Sequence, residues 1–153
     1  MGGVDLTRYE ASFAELDTTT LYALLKLRTD VFVVEQACPY PELDGRDTEP
    51  GTRHLWLAPP GQPSRPCAYL RILKDDPVLR IGRVCTAAEA RGQGLQARLL
   101  AAALQGRPDA TYELAAQSYL TAFYERFGFQ VSGPEFVEDG IPHTPMRRTH
   151  PHG

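Results

Sequence analysis

No stretch of this 153-residue chain approaches the roughly 18 consecutive apolar residues that a membrane-spanning helix needs. The N-terminus likewise has no basic segment leading into an apolar core. A membrane partner and a secretory leader are therefore not expected, and the expected location is cytoplasmic. Strong net charge is missing too: a balance of -3 at pH 7 supplies no bulk field that would draw nucleic acid. Lysine is scarce, Lys26 and Lys74 being the only two, and this arginine bias carries no functional reading. Cys38, Cys67 and Cys85 are odd in number, far apart and without a C-x-x-C pair, which argues against both a disulfide framework and a zinc site. All three read as reduced thiols. His143, His150 and His152 lack metal-ligand spacing to nearby acids or cysteines, so no metal is expected. Internal repeats are absent, and the one biased tract is a short Pro/Gly stretch at 59–66. What is present, 42% hydrophobic and 23% charged residues, is the composition of a globular domain long enough to bury a core without disulfides or metals. One domain over 1–153 is expected, with flexible tails at 1–10 and 149–153.

Asp17 or Thr18 can cap a helix whose Leu21, Leu24, Leu25 and Arg28 fall at i, i+3, i+4 and i+7, and the apolar run Val31–Val34 continues it. A polar loop punctuated by Pro39, Pro41, Gly45, Pro50 and Gly51 follows. His54–Leu57 reads as a strand. The segments 67–73 and 78–85 read as two more, joined by Lys74-Asp75-Asp76-Pro77, which has hairpin-turn composition. From Gly92 to Gln105 the pattern is helical, with Leu95, Leu99, Ala102 and Ala103 on one face and Gly106 and Pro108 as a stop. A strand at 110–115 comes next. Leu120, Phe123, Tyr124 and Phe127 then give a short amphipathic helix closed by Gly128, and strands near 129–132 and 143–148 end the chain. The order is that of an α+β domain: one mixed, mostly antiparallel sheet flanked by helices. Ligand is expected where strands pass into helices, at 85–92 and 115–118.

The most informative segment runs from Val84, Cys85 and Thr86 through Arg91-Gly92-Gln93-Gly94-Leu95-Gln96-Ala97. A strand, a turn with two glycines and a helix start together offer unpaired N–H groups and the positive end of a helix dipole, a seat for phosphate oxygens. No Gly-Lys-Ser/Thr follows, and the spacing is not that of a complete Gly-x-Gly-x-x-Gly fingerprint. Two common nucleotide motifs are thereby excluded.

Arg91-x-x-Gly94-x-Gln96 resembles the Gln/Arg-x-x-Gly-x-Gly/Ala signature of the GNAT family of N-acetyltransferases, with Gln96 in place of the usual Gly or Ala. Phe123-Tyr124-Glu125-Arg126-Phe127-Gly128-Phe129 is similar to that family's second landmark, a helix ending in Tyr-Glu-x-x-Gly-Phe. Further matches at 27–28, 31–36, 38–45, His54, 116–129 and 138–143 resemble the ElaA-type branch. The resemblance implies acetyl-coenzyme A as co-substrate. Its pyrophosphate would lie on backbone amides of Arg91, Gly92, Gln93, Gly94, Leu95, Gln96 and Ala97. Its pantetheine arm would pair with the backbone of Val84, Cys85 and Thr86 and with Gln117, which stands where the family often has asparagine. It also implies that Tyr124 lies near the sulfur. A phenol of pKa ~10 is protonated at neutral pH and can give a proton to a departing thiolate, so Tyr124 is the candidate general acid.

The expected acceptor is a primary amine on a small molecule or peptide. An amine of pKa ~10.4 is mostly protonated at neutral pH, so a transferase needs a route for that proton. Glu35, Asp44, His54, Glu138 and His143 are the available bases, with Glu35 and His54 ranked first. Arg28 and Arg71 can bind an acceptor carboxylate bidentately, although ion pairs with the loop acids are the plainer reading. Catalysis by Cys85 is disfavoured because no Cys-His arrangement is readable. Two other readings stay open: a module that senses acyl-coenzyme A without transfer, and a signal-molecule synthase suggested by Arg28 and 31–36, for which the chain is short. A homodimer is also left open.

Overall fold

The computed structural model describes residues 5–149. Asp17 caps the first helix by accepting the Thr20 N–H at 2.7 Å, which fixes the start of α1 at Thr18–Thr29. Its buried stripe is Thr20, Leu24, Leu27 and Arg28, so Leu27 takes the core position expected for Leu25. The chain then widens into a π-helical turn over Asp30–Glu35, closed by i→i+5 bonds from Gln36 N–H to Val31 and from Cys38 N–H to Val33.

Strand β1 is Thr7–Ala11, β2 is Arg53–Ala58, β3 is Ala68–Asp75 and β4 is Val78–Thr86. All neighbours among these four are antiparallel, and β3 and β4 form the expected hairpin. The expectation of a flexible tail over 1–10 is corrected here. Residues 7–10 belong to β1, an edge strand held by its ladder to β2 and by stacking of Tyr9 on Trp56 at 5.6 Å. Of the tail expected at 149–153, all but Thr149 lies outside the described residues.

Helix α2, Leu95–Gly106, packs across β2, β3 and β4 and buries Leu95, Leu99, Leu100, Ala103 and Leu104. It starts three residues later than the helical pattern suggests, because Gly92 and Gly94 adopt left-handed conformations that keep 91–94 out of the helix. Strand β5 is Thr111–Gln117, and the helix after it is short: a 3-10 turn at Ser118–Leu120 and α3 at Thr121–Glu125. Phe127 and Phe129 both donate their N–H to the Tyr124 carbonyl, and Gly128 at φ 90° closes the turn. Strands β6 (Gln130–Val131), β7 (Phe136–Glu138) and β8 (Ile141–Arg148) complete one eight-stranded mixed sheet in the order β1-β2-β3-β4-β5-β8-β6, with β7 on β8.

Two irregularities shape the middle of this sheet. Strands β4 and β5 run parallel but pair only at Val78–Thr111, Leu79–Tyr112 and Arg80–Glu113, after which they diverge. In β4 the register with β3 shifts between Tyr69 and Arg71, and Arg83 takes a left-handed φ of 53°. That is a β-bulge, which bends β4 away from its partner.

Candidate active site

The divergence of β4 and β5 opens a cleft of about 1000 Å³. Val84, Cys85, Thr86, Arg91, Gln96, Gln117, Tyr124, Glu35 and Arg71 from the sequence-derived set all line it. Arg28 and His54 do not. Gly92, Gln93 and Gly94 form the exposed loop at one end, and Leu95 and Ala97 belong to the first turn of α2 behind it.

At that end the backbone geometry is the informative feature. Gly92 and Gly94 sit at φ 80° and 71°, and a Cβ at either would meet no atom within 4 Å. The requirement for glycine there is therefore conformational rather than steric. Gly94 is the N-cap of α2 and supplies no side-chain cap, so the first-turn amides remain available to an anion.

Two side chains reach from this loop to the end of β4. Gln96 donates Nε2–H to the Cys85 carbonyl at 2.5 Å and to Thr86 Oγ1 at 3.1 Å, while its Oε1 is buried without a partner. Arg91 donates to the Thr86 carbonyl and chelates the Glu35 carboxylate through both terminal nitrogens. Those hydrogen bonds hold the Glu35 carboxyl below its usual range. Cys85 is fully buried and its thiol is pushed well above the ordinary range, so it is unsuited to act as a nucleophile.

Tyr124, 5% exposed, projects from α3 with its ring edge-on to Phe123 and Phe129. Burial pushes its phenol up to about 12. Gln117 ends β5 and lies directly across the ladder from His143 on β8. The His143 ring stacks on Phe136 at 5.6 Å, and its Nδ1 is 2.8 Å from the Ile141 carbonyl.

Beneath the other end lies a buried ionic lattice. Arg28, 0% exposed, donates to Glu42 at 2.7 Å and to both oxygens of Asp47 at 2.7 and 3.2 Å. Arg71, 3% exposed, grips Asp44 through both terminal nitrogens and reaches Asp47 at 3.0 Å. Arg83 on the bulge adds bonds to Glu42 and Asp44. The Arg71 hydrogen bond, ahead of other causes, holds the Asp44 carboxyl far below the carboxylate range. This lattice ties the irregular loop 36–50 to α1, β3 and β4, and it assigns Arg28 and Arg71 to structural ion pairs.

His54 is corrected as a base. It is 1% exposed, with Nε2 3.1 Å from the Asp47 carbonyl and Nδ1 2.6 Å from the Tyr69 hydroxyl. A carbonyl only accepts, so Nε2 carries the proton and Nδ1 accepts from the phenol. Neither nitrogen is free, and burial lowers the ring's pKa. Sequence reasoning missed Arg83, whose bulge has no pattern of its own, and exposed Tyr119, which also lines the cleft. Among the described residues no three His, Cys, Asp or Glu side chains converge as a metal site, and no helix is long and apolar enough to cross a membrane.

An acetyltransferase (GNAT) domain model matches residues 31–150. A UPF0039 protein of Mycobacterium tuberculosis is 53% identical over 138 residues, covering 88% of this chain and 87% of its own. The protein ElaA of Escherichia coli is 41% identical over 144 residues, covering 88% and 91%. Its crystal structure superposes with a TM-score of 0.86 over 94% of this chain and 99% of that one, at 37% identity. An acyl-CoA N-acyltransferase from Pseudomonas aeruginosa superposes with a TM-score of 0.89 over 95% and 100%, at 42% identity. The CoA-dependent acyl-homoserine lactone synthase BjaI, at 17% identity and a TM-score of 0.77 over 94% and 82%, shares the fold alone.

Proposed function

The chain belongs to the GNAT acetyltransferase family, in its ElaA-type branch, and on that premise we propose that it moves an acetyl group from acetyl-coenzyme A directly to a primary amine. Acyl transfer from coenzyme A is the chemistry the family supports; the acetyl group and the amine are our reading. One observation carries it. The gap between β4 and β5 has an uncapped helix start and a left-handed glycine loop at its mouth, and a buried tyrosine within it.

The residues present fit an acyl-coenzyme A. The amides of 92–97 would take the pyrophosphate oxygens. The length of β4 at Val84, Cys85 and Thr86, which has no ladder to β5, and Gln117 on β5 would hydrogen-bond the amide arm in the gap. Holding thioester and amine together supplies proximity, and backbone amides near the thioester carbonyl would stabilise the developing oxyanion. The amine nitrogen attacks the thioester carbon, the C–S bond breaks, and the sulfur leaves with the electron pair.

Tyr124 would protonate that sulfur. A phenol at about 12 keeps its proton through the neutral range. Burial raises thiols as well, as it does Cys85, so a leaving thiolate in the same cleft competes for the phenolic proton on closer terms than it would in water. Tyr124→Phe is expected to lower kcat by about 100-fold while the calorimetric Kd for acetyl-coenzyme A stays within about twofold. Unchanged turnover would remove Tyr124 from the mechanism. A non-catalytic acyl-coenzyme A sensor is the second reading, favoured by the ion pairs that occupy Arg71 and Arg83 at the acceptor end. Tight binding without thiol release across a broad amine panel would support it.

A further inference from the structure

We propose that His143 is the general base of this site, taking the ammonium proton of the acceptor on Nε2; the inference rests on the transferase reading above. Of the carboxylates and imidazoles on the cleft or beside it, several are already committed. Glu35 is chelated by Arg91, Asp44 by Arg71, and both nitrogens of His54 are bonded. Glu138, Asp139 and His143 remain.

His143 is set up differently from the others. Its Nδ1 lies 2.8 Å from the Ile141 carbonyl, which can only accept, so the proton of the neutral ring is on Nδ1. Nε2 then carries the lone pair, and among the described residues it has no protein partner. The ring is fixed by its stack on Phe136 and lines the cleft directly across the ladder from Gln117. Residues opposite one another on antiparallel strands share a face, so the imidazole stands beside the end of β5 that has no ladder to β4 and borders the gap. Glu138 and Asp139 are exposed on the β7–β8 hairpin, and no hydrogen bond among the described residues fixes either carboxylate. That favours the held ring of His143 over both.

The proton balance closes. The amine nitrogen loses two protons between ammonium and amide. One passes to His143 Nε2 and on to solvent. The other restores Tyr124 after the phenol has protonated the departing sulfur. The titratable and charged groups lining the cleft around the ring are Glu138 and Asp139 on the β7–β8 hairpin and Tyr119 and Tyr124 beyond β5. From the other wall come Glu35 of the π-helical turn, Cys38, Tyr40 and Asp44 of the loop, Arg71 of β3, Arg80 and Arg83 of β4, and Arg91 of the glycine loop.

The test is His143→Gln, read as kcat/KM for the amine against pH from 6 to 10 at saturating acetyl-coenzyme A. We expect a loss of about 100-fold at pH 7 that shrinks as pH approaches the amine's own pKa, with the Kd for acetyl-coenzyme A within about twofold of wild type. Nitrogen-15 NMR of the ring should report the Nδ1–H tautomer independently of turnover. A loss equal at all pH values, no loss, or an Nε2–H tautomer overturns the assignment. A wild-type protein that releases no thiol with any amine overturns the transferase reading, and this inference with it. Turnover that survives His143→Gln unchanged overturns this inference alone.

Discussion

Asp47→Asn should destabilise the protein far more than its position in an irregular loop suggests. The Asp47 carboxylate accepts from Arg28 at 2.7 and 3.2 Å and from Arg71 at 3.0 Å, and the two guanidinium groups are 0% and 3% exposed. The substitution keeps the side-chain shape and removes one negative charge, leaving buried positive charge uncompensated. Breaking a buried pair in this way costs about 3–5 kcal/mol. For a domain of this size, that lowers Tm by about 6–20 °C. Burial by itself would raise the Asp47 carboxyl, but the hydrogen bonds and charge of Arg28, reinforced by Arg71, outweigh it and hold the folded-state pKa below the ordinary value. The sign follows from linkage. A lowered folded pKa contributes stability that is present above the unfolded value of ~3.9 and is lost as pH falls through the folded one. Urea melts of both proteins at pH 7 and pH 3 check this: the gap in ΔG should be widest at pH 7 and narrow in acid. Because the charges are buried, 0.5 M salt should leave the gap in place. A gap under about 1 kcal/mol at pH 7, or one that widens on acidification, refutes the argument.

Gly94→Val places a β-branched residue at φ 71° with no steric neighbour, so it should cost about 1–2 kcal/mol through backbone strain and weaken acetyl-coenzyme A binding by calorimetry. Equal affinity would show that the loop conformation is not what the ligand needs. Gln96→Ala removes two hydrogen bonds to β4 together with a buried oxygen that has no partner, two effects of about 1 kcal/mol and opposite sign. Its thermal stability should therefore stay within about 1 kcal/mol of wild type, while acetyl-coenzyme A binding tightens because the Cys85 carbonyl is freed. Weaker binding would mean that the Gln96 side chain itself serves the ligand.

What the sequence made legible is what has a period or a marked turn. The β3–β4 hairpin follows from two apolar-rich segments joined by a turn of characteristic composition, and the start of α1 from the Asp17 cap. The loop at 91–94 was legible because glycines at a strand-to-helix passage have few other uses. Strand β1 escaped because an edge strand of pattern Thr-Arg-Tyr-Glu-Ala buries only one residue fully. Strand β7 escaped because three residues, Phe-Val-Glu, are too few to show an alternation, and all are exposed. The partners of the candidate bases were illegible for a different reason. His54 and Glu35 are taken by Tyr69 and Arg91, 15 and 56 residues away, and spacing along the chain does not encode which nitrogen of His143 the nearby Ile141 carbonyl will claim.

The sheet opens like a book. Its spine is the three-pair parallel contact of Val78–Arg80 with Thr111–Glu113, pinned by the Arg80–Glu113 ion pair at 2.9 Å. Strands β1–β4 make one leaf and β5–β8 the other. The acyl-coenzyme A proposed to lie between the leaves would touch both, and so would bind them together as well as react. At 100 times its Kd such a ligand adds about 2.7 kcal/mol to the stability of the folded chain.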